Sequence, residues 1–400
     1  MGILIVFAPP HGSKYDRDRT AIEGDRGNGM KINQWLAHDC RRFFAWIGIF
    51  LLFCALFMSP VFAQKKIAGK ADRATGKHEG PWLVPLPSAV TAPPDNPTSR
   101  VKALLGKQLF FDPRLSGDNT ISCASCHIPR KAYADGIALA RGQQDQLLTR
   151  NTQSCLNVGF YSILFWDGRA ASLEQQALIP IQSAREMNQD LAVLEQELAN
   201  VPGYVRQFEE VFGCAPNRDG IAKALSAYQR TLVTGPSAYD RFLMGDEEAL
   251  SKEAKQGLEL FQGDAGCIEC HHGPLLSDNK FYRLRLRGDL GRALVTGDDD
   301  DRYRFRTPSL RNVAETGPYM HDGSLQTLDE VVTFYYREIP SSRRNGLLPD
   351  TQALTGQSFS EIPLLVAFLK SLTGTVPEFI PPQLPVGRQD LLDEETFVGP

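Results

Sequence analysis

Two short motifs constrain this chain more than its length or composition does. Cys123-Ala-Ser-Cys126-His127 and Cys267-Ile-Glu-Cys270-His271 both read C-x-x-C-H, the pattern that attaches a c-type haem. Two thiols three residues apart can reach both vinyl groups on one porphyrin edge, and the next residue then sets an imidazole under the iron as proximal ligand. Paired zinc knuckles are the competing reading. A zinc ribbon, however, separates its knuckles by about twenty residues, whereas well over a hundred lie between these two. Zinc also has no need of a histidine after each pair. Two covalently bound haem c groups are therefore expected.

The residues ahead of each motif repeat as well: Gly106-Lys-Gln-Leu-Phe110 precedes the first and Gly257-Leu-Glu-Leu-Phe261 the second. This is the signature of two cytochrome c-like haem domains in tandem, each with a helix that carries Leu and Phe towards the haem before a short loop delivers the motif. The rest of the chain reads as mostly α. Asp219 is placed to cap a helix with Ile221, Ala222, Leu225, Tyr228 and Leu232 on its apolar face, and Leu364 to Leu372 reads as another helix before Gly374. Few segments alternate as strands do. With 400 residues, 42% of them hydrophobic, there is material for two cores. The expected organisation is an extension and signal peptide over 1–63, a Pro-rich linker or arm over 64–98, a first haem domain over 99–246, a second over 247–375 and a tail over 376–400.

The leader is read from an uncharged apolar run, Phe43 to Met58, preceded by Arg41 and Arg42 and followed by Ser59, Pro60, Val61, Phe62 and Ala63. Cleavage is expected before Gln64, which would place the protein in the periplasm. An uncleaved membrane anchor is the alternative, because the run extended to Ala63 approaches the length of a span. Met30 is a more natural start than Met1. A formal charge of −4 gives no basic footprint, so no nucleic-acid partner is expected, and the run Asp298–Asp301 reads as a solvated loop. Outside the leader six cysteines remain; Cys155 and Cys214 could pair, but Cys155 sits in an apolar stretch where a small buried residue would serve equally well.

No histidine lies between His127 and His271. The first haem therefore has no distal histidine from its own domain, which leaves Met187, Tyr133, water or nothing, unless His78 or a C-terminal histidine reaches in. An open iron can bind peroxide. For the second haem, Thr327-Leu-Asp-Glu330 is a capping box that opens a helix with Leu328, Val331, Val332, Tyr335 and Ile339 as its apolar stripe. Tyr335, near the centre of the stripe, is a core aromatic or an axial ligand. His272 would struggle to fold back over the iron that His271 already holds, and His321 reads as a structural or propionate-contacting residue.

In its order of motifs the chain resembles the bacterial di-haem cytochrome c peroxidase family, including its MauG branch, over nearly all of residues 100–375. The matching segments are Phe110-Phe-Asp-Pro-Arg-Leu-Ser116, Arg150-Asn-Thr152, Phe165-Trp-Asp-Gly-Arg-Ala170, Ser172-Leu-Glu-Gln-Gln-Ala177, Glu186-Met187, Arg306-Thr-Pro-Ser-Leu-Arg-Asn312 and Gly317-Pro-Tyr-Met-His-Asp-Gly323, with the two haem motifs among them. The resemblance implies that the first haem is the peroxide site and that electrons enter through the second. It places Trp166 between the haems as an electron relay, and Gln176, Glu186 and Pro180 in the peroxide pocket. Gln176 and Pro180 are four apart on one predicted helix and so share a face. It also implies one calcium ion held by Asn151 and the backbone carbonyls of Thr316 and Pro318, and dimers would fit it.

Two departures accompany the resemblance. Many members carry a distal histidine seven residues before the Arg-Asn-Thr match, where this chain has Gln143, so a blocked resting state is not expected. Tyr335 stands fourteen residues after His321, where ordinary peroxidases place a methionine ligand and MauG a tyrosine. Axial ligation by Tyr335 follows, and a phenol or phenolate would hold the iron ferric more strongly than a thioether does.

Three functions fit this sequence. The first is a periplasmic peroxidase that reduces hydrogen peroxide with electrons from a small redox protein, a cytochrome c or a cupredoxin. The second is a MauG-like oxidase that stores two oxidising equivalents across both haems and acts on an unidentified protein or small-molecule substrate. The third is a non-catalytic di-haem electron carrier, disfavoured by an open first haem beside Glu186.

Overall fold

The structure, a computed structural model, describes residues 83–284, 288–344 and 358–386, with the side chains of 338–344 excepted; the expected leader, the first part of the arm and the end of the tail lie outside them. The described residues are mostly helical. In chain order the α-helices are α1 (Arg100–Phe111), α2 (Cys123–Cys126), α3 (Leu173–Gln182), α4 (Leu191–Ala199), α5 (Pro202–Phe212), α6 (Arg218–Gln229), α7 (Ala238–Leu243), α8 (Lys252–Gln262), α9 (Ala293–Thr296), α10 (Leu328–Arg344) and α11 (Ile362–Lys370). Among the described residues one small antiparallel ribbon joins β1 (Phe281–Arg283) to β2 (Arg304–Arg306), with Tyr282 opposite Phe305.

The repeated Gly-x-x-Leu-Phe segments have a common structural reason. In α1 a Cβ on Gly106 would sit 1.8 Å from the Ala224 carbonyl oxygen of α6, and in α8 a Cβ on Gly257 would sit 2.0 Å from the Leu364 carbonyl oxygen of α11. Only glycine lets either pair of backbones approach so closely. One turn later the phenylalanine of each segment enters the core: Phe110 and Phe261 are each 1% exposed. The Phe110 ring lies 6.2 Å from that of His127, and Phe261 packs against Phe368 of α11 at 4.9 Å. The first hydrophobic cluster draws its buried residues from Leu105 to Leu232 and the second from Tyr239 to Leu372.

Local chemistry sets the helix ends. Ser99 caps α1 by accepting from the Lys102 N–H, and Asp190 caps α4. The α6 cap corrects the sequence reading: Asn217, not Asp219, accepts from the Gly220 N–H, while Asp219 lies in the first turn and pairs with Lys223 at 2.8 Å. An Asx cap two residues upstream satisfies the end and leaves Asp219 for an i,i+4 pair. Helix α11 starts and stops two residues before the run Leu364 to Leu372, because the buried Leu372 continues the core after the helix has ended. The capping box at Thr327 and Glu330 forms as read.

Both terminal segments tie the clusters together. In the arm, the Leu86 N–H donates to Asp240 and Val84 offers its carbonyl to Arg311, whereas Asn96 donates to Glu174 and Lys223 in the first cluster's territory. The tail returns over the first cluster: Phe379 stacks on Phe111 at 4.9 Å, and the Pro385 carbonyl accepts from Arg114. Cys155 is buried and Cys214 exposed, and neither is in a disulfide.

Candidate active site

Each haem motif holds its histidine in the same way. The Nδ1–H of His127 donates to the Tyr133 carbonyl at 3.1 Å, and that of His271 to the Leu276 carbonyl at 2.9 Å. A carbonyl can only accept, so the proton is fixed on Nδ1 and the Nε2 lone pair is left for a metal. Burial pushes the pKa of both imidazoles down, which keeps them neutral. The loops that present these carbonyls turn through left-handed backbone at Ala132, Tyr133 and Leu276. Burial also raises the Cys123 thiol to about 12 and the Cys126 thiol to about 11. Paired thiols and an oriented neutral imidazole form the donor set that haem c requires, so the residues present fit the group at both motifs.

A largely apolar cavity of about 330 Å³ runs from the second motif towards the first domain. It is lined by Cys267, Cys270, His271, Phe261, Tyr335 and Leu369 together with Leu156, Leu164, Trp166 and Gln176. Of the residues singled out from sequence, this cavity therefore brings together Cys267, Cys270, His271, Tyr335, Trp166, Gln176, Asn151, Thr316 and Pro318. Tyr335 is half-buried, and burial raises its phenol well above the usual range, with the nearby Cys270 and Cys267 adding to the effect. Trp166 is fixed by its indole N–H, which donates to the Asn151 carbonyl at 3.0 Å. Asn151 in turn uses its amide nitrogen on the carbonyls of Ile137 and Ala138. Around them Arg150 bridges Asp167 and Asp289, each at 2.6 Å, with all three side chains no more than 14% exposed.

Glu186, Pro180 and the residues of the first haem motif, Cys123, Cys126 and His127, lie outside that cavity lining. Glu186 is half-buried and close enough to Cys126 to perturb it. Burial raises its carboxyl above the usual range, and Arg169 and Ser183 only partly offset this. Gln176 and Pro180 share α3, and Pro180, having no N–H, leaves the Gln176 carbonyl without its helical donor. The Pro180 carbonyl accepts from the Met187 N–H, joining the helix to the Glu186 loop.

The structure gives surroundings to several of the residues weighed for the first haem. Tyr133 holds the Nδ1 side of His127, and its hydroxyl is 3.1 Å from that of Tyr228. It therefore sits behind the proximal histidine and cannot also be the distal ligand. Met187 is 4% exposed within the first core. Gln143 is buried, its N–H donates to the Glu186 carbonyl, and its side chain bonds Asp118. His78 lies outside the described residues. His321, 3% exposed in the cavity lining, stacks on Phe305 at 3.8 Å, and its Nδ1 has no hydrogen-bond partner among the described residues.

The residues 100–248 match the family model for di-haem cytochrome c peroxidase. A cytochrome c peroxidase, IdrP1, of Denitromonas iodatirespirans is 39% identical over 354 residues, covering 79% of this chain and 92% of that protein. The methylamine utilization protein MauG of Methylophilus methylotrophus is 38% identical over 305 residues, covering 75% and 90%. The crystal structure of a MauG-like protein associated with microbial copper homeostasis superimposes with a TM-score of 0.66 at 32% identity, covering 74% of this chain and 95% of that one. This chain belongs to the di-haem cytochrome c peroxidase family. As a di-haem peroxidase it is an oxidoreductase with two haem c groups carried by two helical haem domains.

Two features of this di-haem peroxidase could not be read from its sequence. Tyr282, in the cavity wall, donates to Asp278 at 2.6 Å, but four residues apart across a loop and a strand the two carry no periodic signal. Arg311 and Asp240 form a buried pair at 2.7 Å, with side chains only 1% and 3% exposed. The Arg311 match was visible, whereas its partner 71 residues away was not.

Proposed function

We propose that this protein is a periplasmic peroxidase that reduces hydrogen peroxide to water at the first haem, with electrons arriving from a small redox protein through the second. The observation that carries this reading is Glu186, a half-buried carboxyl held above its usual pKa beside the first haem motif. When bound, the two haem c groups supply peroxide activation at the first site and electron storage at the second. Reduction requires a proton to leave one peroxide oxygen and another to arrive at the other oxygen as the O–O bond breaks. A single carboxyl with a raised pKa can do both in turn. Gln176 orients the peroxide by hydrogen bonding. Trp166, its indole pinned to the Asn151 carbonyl, carries electrons between the two sites. In this reading Tyr335 would hold the second haem together with His271, leaving the first site to react. Asn151 with the carbonyls of Thr316 and Pro318 would hold a calcium ion through oxygen donors that suit it, and all three line the cavity.

Tyr335 and the redirected Gln143 also favour a second reading, a MauG-like oxidase. Steady-state oxidation of reduced cytochrome c by peroxide separates the two. Rapid turnover that Glu186→Gln lowers by about 10²–10⁴-fold, with both haems still attached, supports the peroxidase. Slow donor oxidation with a long-lived oxidised protein supports the oxidase. Unchanged turnover in Glu186→Gln would remove that residue from the mechanism.

A further inference from the structure

Five tyrosines line the cavity: Tyr161, Tyr282, Tyr319, Tyr335 and Tyr336. Their hydroxyls differ in what could receive a proton. Tyr161 accepts from the Ser309 N–H. Tyr319 donates to the Val313 carbonyl, which cannot keep a proton. Tyr336 faces the Glu361 carboxylate at a long 3.4 Å. Tyr282 donates to the Asp278 carboxylate at 2.6 Å, a short charge-assisted bond.

That carboxylate is anchored to the haem motif. The Asp278 N–H donates to the Cys270 carbonyl at 2.9 Å, and its second oxygen accepts from the Lys280 N–H. Through Asp278 the Tyr282 hydroxyl is tied to the backbone of Cys270, the residue that would carry the porphyrin edge. Tyr282 itself sits half-buried on β1, opposite Phe305, so part of it is open to solvent. Among the described residues Tyr204 also donates to a carboxylate at 2.6 Å, that of Asp112. It is 0% exposed, and the Arg114 guanidinium lies 5.4 Å from its ring, where it opposes loss of an electron.

We propose that Tyr282 is a redox-active one-electron relay between the second haem and the protein surface, with Asp278 taking and returning its proton. This rests on the reading of the protein as one that consumes peroxide. Hydrogen peroxide takes two electrons and two protons and leaves as two waters, so without a donor the protein is two electrons short. Tyr282 then gives one electron to the second haem while its hydroxyl proton moves to Asp278, leaving a neutral tyrosyl radical and a protonated carboxyl. An external one-electron reductant at the surface returns the electron, and the proton goes back from Asp278 to the phenolate oxygen. A tyrosine loses an electron readily only when its proton has somewhere to go, and this side chain combines such a base, a link to the haem motif and access from outside.

The test is freeze-quench electron paramagnetic resonance on the two-haem holoprotein mixed with hydrogen peroxide in the absence of donor. A tyrosyl radical is expected whose hyperfine pattern collapses when the tyrosines are ring-deuterated. It should be lost in Tyr282→Phe and form several-fold more slowly in Asp278→Asn, each variant carrying two haems by absorbance. Peroxide consumption by the wild type with no tyrosyl radical, or a radical of equal amplitude in Tyr282→Phe, overturns this relay and leaves the peroxidase standing. An unchanged rate in Asp278→Asn removes Asp278 as the proton acceptor and overturns it as stated. A holoprotein that leaves peroxide untouched overturns both.

Discussion

Replacing Gly257 by alanine puts a methyl group in place of one hydrogen where α8 crosses α11. The new Cβ would lie 2.0 Å from the Leu364 carbonyl oxygen, 2.7 Å from its carbon and 2.9 Å from the Phe368 Cβ. Two of these three atoms are helix backbone, which cannot swing aside as a side-chain tip can, so the helices must part by more than 1 Å. Overpacking in a core typically costs about 1–3 kcal/mol and occasionally more; a backbone clash of this depth belongs at or above the upper end. Alanine returns about 1 kcal/mol through its helix propensity, leaving a net loss of about 2–3 kcal/mol. At about 2–4 °C per kcal/mol for a chain of this class, Tm falls by about 4–12 °C. The helix that shifts also carries Phe261 and leads into Cys267, so the absorption of the second haem should change while that of the first does not. Thermal unfolding of the holoprotein followed by absorbance reads both effects, with exposed Gln256→Ala as a control expected within about 0.5 kcal/mol of wild type. A Gly257→Ala protein as stable as that control, with an unaltered second haem, would refute the claim that this close approach sets the module.

Three other outcomes follow from the geometry. The folded-state pKa of Glu186 is raised, chiefly by burial, so the native state holds more protons than the unfolded one and stability falls as pH rises from the ordinary carboxylate range through the raised value. Glu186→Gln should flatten that part of the profile in denaturant titrations, and an unchanged slope would contradict the burial argument. Asp240→Asn leaves Arg311 charged and 1% exposed, so a loss of about 3–5 kcal/mol is expected, measured by urea unfolding; a loss under about 1 kcal/mol would show that the pair is dispensable. Tyr335→Phe should alter the spectrum of the oxidised second haem and leave the first unchanged, and a spectrum identical to wild type would rule out Tyr335 as ligand.

The parts of the site legible in the sequence are those written in local spacing. C-x-x-C-H fixes thiols and imidazole within one turn, Thr327 and Glu330 fix a helix start, and the 3.6-residue stripe through Leu328, Val332 and Tyr335 correctly turned that tyrosine towards the cavity. The repeated glycines were visible as a repeat, but their reason was not, because a helix crossing depends on Ala224 and Leu364 far along the chain. The misplaced cap at Asp219 shows the same limit on a small scale: Asn217 and Asp219 are both good caps, and only the Asp219 pair with Lys223 distinguishes them. Gln143 was seen to differ from a histidine, yet nothing local announced that it would turn to Asp118. Tyr282 with Asp278 was missed for want of any period at all.

The crossing arm and returning tail bear on how such a protein can be divided. Two cytochrome modules in one chain suggest two separable halves, but a first half cut before residue 247 would leave behind the segment whose Phe379 stacks on Phe111 and whose Pro385 carbonyl receives Arg114. The second half, cut the same way, would lose both Asp240, the buried partner of Arg311, and Val84, whose carbonyl accepts from Arg311. Each module is thus completed by a ribbon of sequence encoded at the opposite end of the gene. Fragments would have to be exchanged, not merely expressed, for either haem pocket to close, and a ribosome must finish the chain before the first module is whole.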